Sequence, residues 1–96
     1  MAQSLNKLSF SPRFKLDLKK AARHPEYADE DLETLLQDLI EHATLPSYYR
    51  EHSLEKREVN WAGFTECHLT GDIVVIYKRY EGLVRLHRIG SHASVF

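Results

Sequence analysis

The five residues Ile73-Val74-Val75-Ile76-Tyr77 leave no polar side for water on either face of a β-strand. Strand side chains alternate between the two faces, so a run this apolar belongs at the centre of a sheet with both faces covered. The flanking residues agree with that placement. Phe64, Glu66 and His68 fall on one face of a preceding strand, Thr65, Cys67 and Leu69 on the other, and Thr70-Gly71 supplies the turn into Asp72. Glu81-Gly82 marks the next turn, and Leu83 to Ile89 reads as a further strand that ends at Gly90. The second half of the chain is therefore expected to form an antiparallel meander.

The first half has a different period. Leu8 and Phe10 alternate with Lys7 and Ser9, as in a short half-buried strand. Ser11-Pro12 opens a helix, because the Ser11 hydroxyl can accept from an early amide and Pro12 at the first helical position loses no bond. Phe14, Leu18 and Ala21/Ala22 give that helix one apolar stripe, and His24-Pro25 ends it. A second helix begins near Asp29. Leu32, Leu35, Leu36, Leu39 and Ile40 repeat at helical spacing, acidic residues fill its first turn, and Pro46 sets its latest end. Ser47 to Asn60 is polar apart from Tyr48, Tyr49 and Leu54 and reads as a long loop of the kind that carries function. The order is β-α-α-β-β-β: an α+β two-layer sandwich with both helices on one face of an antiparallel sheet. Ninety-six residues, 43% of them hydrophobic, suffice for one core, so residues 1–96 are read as a single domain.

The lone Cys67 favours a reducing compartment, and no apolar run approaches the ~18 residues of a spanning helix. With no signal-peptide pattern at Met1 to Phe10, the expectation is a cytoplasmic protein with no membrane partner. Charge is uneven. Residues 1–20 carry five Lys/Arg against Asp17, and residues 21–48 carry Arg23 against seven Asp/Glu. With a pI near 6.6, well below the ~9 usual for non-specific phosphate binders, charge alone permits an RNA partner without demanding one.

Groups able to do chemistry gather in the second half. Glu66 and His68 share a strand face, Asp72 lies across the turn, His52 sits in the long loop, Arg88 and His92 flank Gly90, and Phe96 ends the chain. Metal-free RNA cleavage needs such a set: a base for the ribose 2′-hydroxyl, an acid for the departing 5′-oxygen, a cation for the phosphorane and an aromatic plane for a base. Imidazole suits both proton-transfer roles, since its ordinary pKa of ~6.5 leaves both forms available. Strict alternation places Arg88 with Val84 and Leu86, opposite His87, so a bulge or twist near Gly90 is needed to bring it toward His68. His24, His42 and His87 read as surface or structurally bonded residues, Tyr49 as packing, and Cys67 as a small buried hydrophobe. Trp61 suits either a loop anchor or a partner contact. A zinc site of His52, His68, His92 and Asp72 is a competing reading, but no pair among them has short helical ligand spacing.

From Leu45 to Phe96 the chain resembles toxins of the RelE superfamily, YafQ branch. The stations are Leu45-Pro46, then Tyr49 with His52 and Leu54, then Gly63-Phe64, Glu66-Cys67-His68, Asp72, Ile76-Tyr77, Arg88-Ile89-Gly90-Ser91-His92 and Phe96. The resemblance implies a RelE-like fold and a type II toxin that cleaves messenger RNA on the ribosome. It implies His52, His68, Asp72 and His92 as the acid/base set, Arg88 at the scissile phosphate and Phe96 holding a base, with no metal or cofactor. Glu66 stands where many relatives have Asp, and the chain is less basic than is common in the family. The implied partners are a RelB/DinJ-type antitoxin, the 70S ribosome with its mRNA, and operator DNA only through the antitoxin complex. The acidic second helix and the basic first helix are candidate antitoxin surfaces. The alternative is a ParE-like relative acting on gyrase, or a non-catalytic binding module.

Overall fold

Ser11 starts the first helix as its sequence dictates: its hydroxyl oxygen accepts from the Phe14 amide at 2.9 Å, and Pro12 takes the first helical position. The structure, a computed structural model, describes residues 5–55 and 61–96. Its elements are β1 (Lys7–Phe10), α1 (Pro12–Ala21), α2 (Asp29–Glu41), β2 (His52–Ser53), β3 (Phe64–Thr70), β4 (Ile73–Tyr80), β5 (Leu83–Ser91) and α3 (His92–Val95). The sheet order is β1-β5-β4-β3-β2, which puts the all-apolar strand β4 in the middle.

Two cores explain why β4 is apolar on both faces. On one side Ile73, Val75 and Tyr77 meet Phe14 of α1 and Leu32, Leu35 and Leu39 of α2. On the other, Val74 and Ile76 lie under Leu54, Val95, Trp61, Phe64 and Phe96. The expectation of both helices on one face holds for α1 and α2. The second cover comes from α3 with Phe96, from Leu54 and from Trp61.

Three features depart from the sequence reading. β1 pairs parallel with β5, so the sheet is antiparallel only from β5 to β2. The expected 47–60 loop contains a 3-10 turn at Ser47–Tyr49 and the short strand β2, while residues 56–60 lie outside the described residues. The chain ends in a helical turn, α3, that had no signature of its own.

The loop before β2 is tied down by Glu51. Its carboxylate accepts from the Leu45 amide at 2.9 Å, from Arg79 Nη2 at 3.0 Å and from the Tyr77 hydroxyl in a short hydrogen bond. Desolvation pushes the Glu51 pKa up, but these donors together hold it below the ordinary carboxylate value. Among the described residues, no helix is long and apolar enough to cross a membrane.

Candidate active site

The face opposite α1 and α2 carries the candidate residues, and strand register explains why. His52 of β2 pairs with Glu66 of β3, Glu66 with Ile76 of β4, and Ile76 with Arg88 of β5. Glu66 is only 3% exposed. Its Oε1 lies 3.6 Å from His52 Nε2 and 3.7 Å from His68 Nε2, so one buried carboxylate faces two imidazoles whose ring centres are 6.4 Å apart. His52 Nδ1 is 2.9 Å from the Arg50 carbonyl, so this exposed ring has an acceptor on either side, the carbonyl at Nδ1 and Glu66 at Nε2.

His68 is partly buried beside Glu66. Burial holds its pKa below the ordinary imidazole value of 6.5, the positive charge of Arg50 pushes the same way, Glu66 opposes, and His52 and His92 lower it further. His68 is thus a neutral proton acceptor near pH 7.

Asp72 and His92 meet through the backbone. The His92 amide donates to the Asp72 carbonyl at 3.0 Å, and both side chains are exposed at that corner. Ser91 caps α3, its hydroxyl oxygen accepting from the Ser94 amide at 3.3 Å. Gly90 leaves room for α3 to pack closely: a Cβ there would stand 2.7 Å from Ser94 Oγ and 3.3 Å from Val95 Cγ1. One turn on, the Phe96 ring lies 4.8 Å from the His92 ring and meets Trp61 edge-on at 5.4 Å.

The bulge that Arg88 requires is present. Tyr77 pairs with Leu86 and Ile76 with Arg88, so His87 is the extra residue and Arg88 changes face. The Ser11 hydroxyl donates to the His87 carbonyl at 2.9 Å, supplying a partner where the ladder is interrupted. The Arg88 guanidinium nevertheless turns to the sheet edge, where Nε and Nη2 bind Asp17 of α1 at 2.6 and 3.3 Å. The structure thus gathers His52, Glu66 and His68 at one end of this face, sets His92 and Phe96 on α3 with Asp72 beside them, and holds Arg88 to one side.

Two residues of this face escaped the sequence reading. Arg50 is exposed, adopts a left-handed φ of 52° after the 3-10 turn, and sends its field to His68. Its only sequence signal is its place two residues before His52. His87, read as surface or structural, stacks 4.7 Å from Phe64 and 6.2 Å from Trp61, and its burial lowers its pKa. Trp61 belongs to the same aromatic patch. Among the described residues, ligand-type atoms close enough to share one cation are those of Asp38, Glu41 and His42, within 4.8 Å of one another. They lie on the last turn of α2 and the residue that follows it, where Asp38 already accepts from the Tyr49 hydroxyl at 2.7 Å.

A family model described as "Bacterial toxin of type II toxin-antitoxin system, YafQ" matches residues 6–96. The "mRNA interferase toxin YafQ" of Escherichia coli strain B / BL21-DE3 is 31% identical over 90 residues, covering 93% of this chain and 94% of that relative. A crystal structure of YafQ from E. coli BL21(DE3) has a TM-score of 0.82 at 29% identity, covering 95% of this chain and 98% of the other. A chain in a crystal structure of the E. coli DinJ-YafQ complex has a TM-score of 0.80 at 30% identity, again covering 95% and 98%.

Proposed function

The chain belongs to the YafQ family of type II toxin-antitoxin toxins, and from that membership we propose that it is an mRNA interferase, an endoribonuclease that stops translation by cutting messenger RNA on the ribosome. The observation that carries the mechanism is the buried Glu66 carboxylate between the outward imidazoles of His52 and His68. That arrangement suits metal-free transfer in which the ribose 2′-hydroxyl attacks the adjacent phosphorus, closing a 2′,3′-cyclic phosphate and breaking the bond to the 5′-oxygen. Neutral His68 accepts the 2′-hydroxyl proton, and Glu66 stabilises the imidazolium that results. His52 shares that carboxylate and fixes the geometry around it. His92, at the open end of α3, delivers a proton to the departing 5′-oxygen, with Asp72 beside it, and Phe96 holds a base against the His92 side. Arg88 is assigned to the phosphate as well, which it reaches by leaving its pair with Asp17 at the sheet edge.

We further propose that residues 1–96 act as one toxin domain in the cytoplasm. There Cys67 stays a protonated thiol, since burial raises its pKa. As E. coli YafQ forms a complex with DinJ, we assign this chain a DinJ/RelB-like antitoxin, with the acidic face of α2 as one docking surface and operator DNA reached only through that complex.

Purified protein added to translating ribosomes, with the cut ends mapped, tests this reading. A 2′,3′-cyclic or 3′-phosphate on one fragment and a 5′-hydroxyl on the other is expected. Ends bearing 5′-phosphate and 3′-hydroxyl would overturn it in favour of metal-assisted hydrolysis.

A further inference from the structure

β5 outruns its neighbour. β1 ends at Phe10 opposite Leu86, while β5 continues to Ser91, and α1 lies along the edge so exposed. Between them opens a cleft of about 460 Å³, lined among others by Arg13, Asp17, Lys20, Arg23, Arg88 and Ser91. That volume falls within the ~300–1,000 Å³ typical of ligand sites.

The charge of this cleft is opposite to that of the whole chain. Four cationic side chains against one carboxylate leave a formal surplus of three positive charges, in a protein whose net charge is −1. The carboxylate is also fully engaged. Asp17 accepts from Arg88 Nε at 2.6 Å, from Arg13 Nε at 3.4 Å and from the Ile89 amide at 3.3 Å. It therefore orders the shielded Arg88 guanidinium in the cleft wall, with the exposed Arg13 beside it. Glu26, the nearest acidic residue after α1, is drawn to the neighbouring turn, where it accepts from the Asp72 amide at 3.4 Å. Ser91, the residue before His92, lines the cleft together with Ser94 of α3, the last turn of α1 and Pro25.

We propose that this cleft is a phosphate subsite for the backbone of an RNA strand. The inference rests on the nuclease reading above. One ordered guanidinium with further cationic side chains beside it is suited to phosphodiester oxygens, which arginine grips through paired N–H groups and lysine as a point charge. Ser91 in its lining places the cleft one residue from His92 in the chain. The site also answers how a chain with a pI near 6.6 holds RNA: it concentrates its cations where one strand passes. The phosphodiester belongs either to the message or to ribosomal RNA.

The test is the full-length double variant Lys20→Glu/Arg23→Glu, both residues being exposed and outside the proposed catalytic set. In the first arm, a 2′-O-methylated single-stranded RNA of about ten nucleotides, within the usual span of such sites, is titrated by fluorescence anisotropy at several salt concentrations. With two phosphate contacts gone, the variant should bind about tenfold more weakly or worse, and the slope of log K against log salt should fall by ~1.4. In the second arm, binding to message-free ribosomes is measured. A loss in the first arm identifies the message as the source, and a loss in the second alone identifies ribosomal RNA. Unchanged binding and salt slope in both arms would overturn the proposal, as would a loss confined to antitoxin binding, which would make the cleft a protein-docking site. Circular dichroism of the variant guards against misfolding. If the wild type fails to cleave while the RNA affinity still depends on Lys20 and Arg23, the nuclease reading falls and the subsite stands.

Discussion

Arg88 and Asp17, 71 residues apart in sequence, are joined by an ion pair with Nε and Oδ2 2.6 Å apart. The pair is mostly shielded, with side-chain exposures of 16% and 11%, and it fastens α1 to the edge of β5 just past the bulge. Asp17→Asn should therefore cost more than a surface pair does. It removes the charge and weakens the link to the Ile89 amide, so a loss of about 1 to 3 kcal/mol is expected in urea unfolding. A change below ~0.5 kcal/mol would show that the pair behaves as an exposed one.

His92→Ala or His68→Ala should lower the single-turnover cleavage rate by ~10² to 10⁴ with ribosome binding nearly intact. Phe96→Ala should cost roughly 5- to 150-fold, the value of one stacking contact. His42→Ala serves as control, since its ring is exposed and faces Asp38 of α2 at 3.8 Å. Equal losses for His42 and His92 would mean that stability had been mistaken for catalysis.

Two depressed histidines give stability a definite dependence on pH. Burial first, and neighbouring arginines next, hold His68 and His87 below the ordinary value of 6.5 in the folded state. Below that value the unfolded chain takes up protons that the folded chain refuses. Unfolding free energy should thus fall as pH drops from 6.5 toward the folded pKa values, and these groups should add no change above 6.5. Urea midpoints at pH 7.5 and 5.5 check the sign, and the dependence should shrink in His87→Phe. A His87→Phe variant with undiminished pH dependence would assign the effect elsewhere.

Gly90→Ala should push α3 away from the sheet, because the new methyl group would stand 2.7 Å from Ser94 Oγ. Overpacking of this kind costs ~1 to 3 kcal/mol, and the displaced His92 should lower the rate as well. Adding Ser94→Ala removes the nearest clashing atom and should recover part of both. A double variant no better than the single one would place the strain at Val95.

Much of this was legible because hydrophobic periodicity is a strong signal. The leucines of α2, the Ser11-Pro12 start and the doubly apolar Ile73–Tyr77 each have one economical structural solution. Relations between distant segments were not legible in the same way. The parallel pairing of Lys7–Phe10 with Leu83–Leu86 depends on how two helices carry the chain back, which no local pattern records. The extra residue at His87 is invisible to an alternation rule, and strict alternation alone would have left Arg88 on the wrong face. For the same reason the partnership of Arg88 with Asp17 could not be seen. α3 is a single capped turn, too short for periodicity, held by contacts of Val95 and Phe96 with the sheet. Arg50 owes its place to a left-handed backbone angle that its neighbours impose.

Glu51 sits between Arg50 and His52, yet it points inward to Tyr77 and Arg79 while they lie exposed. That inward knot makes the preceding loop part of the frame, so ordering of Arg50 and His52 is complete when folding is complete. On the proposed nuclease reading, such a surface is set as soon as the chain has folded. Safety for the host must then come from a cover that arrives in time, which makes the relative rates of making toxin and antitoxin, more than any internal latch, the quantity that decides survival.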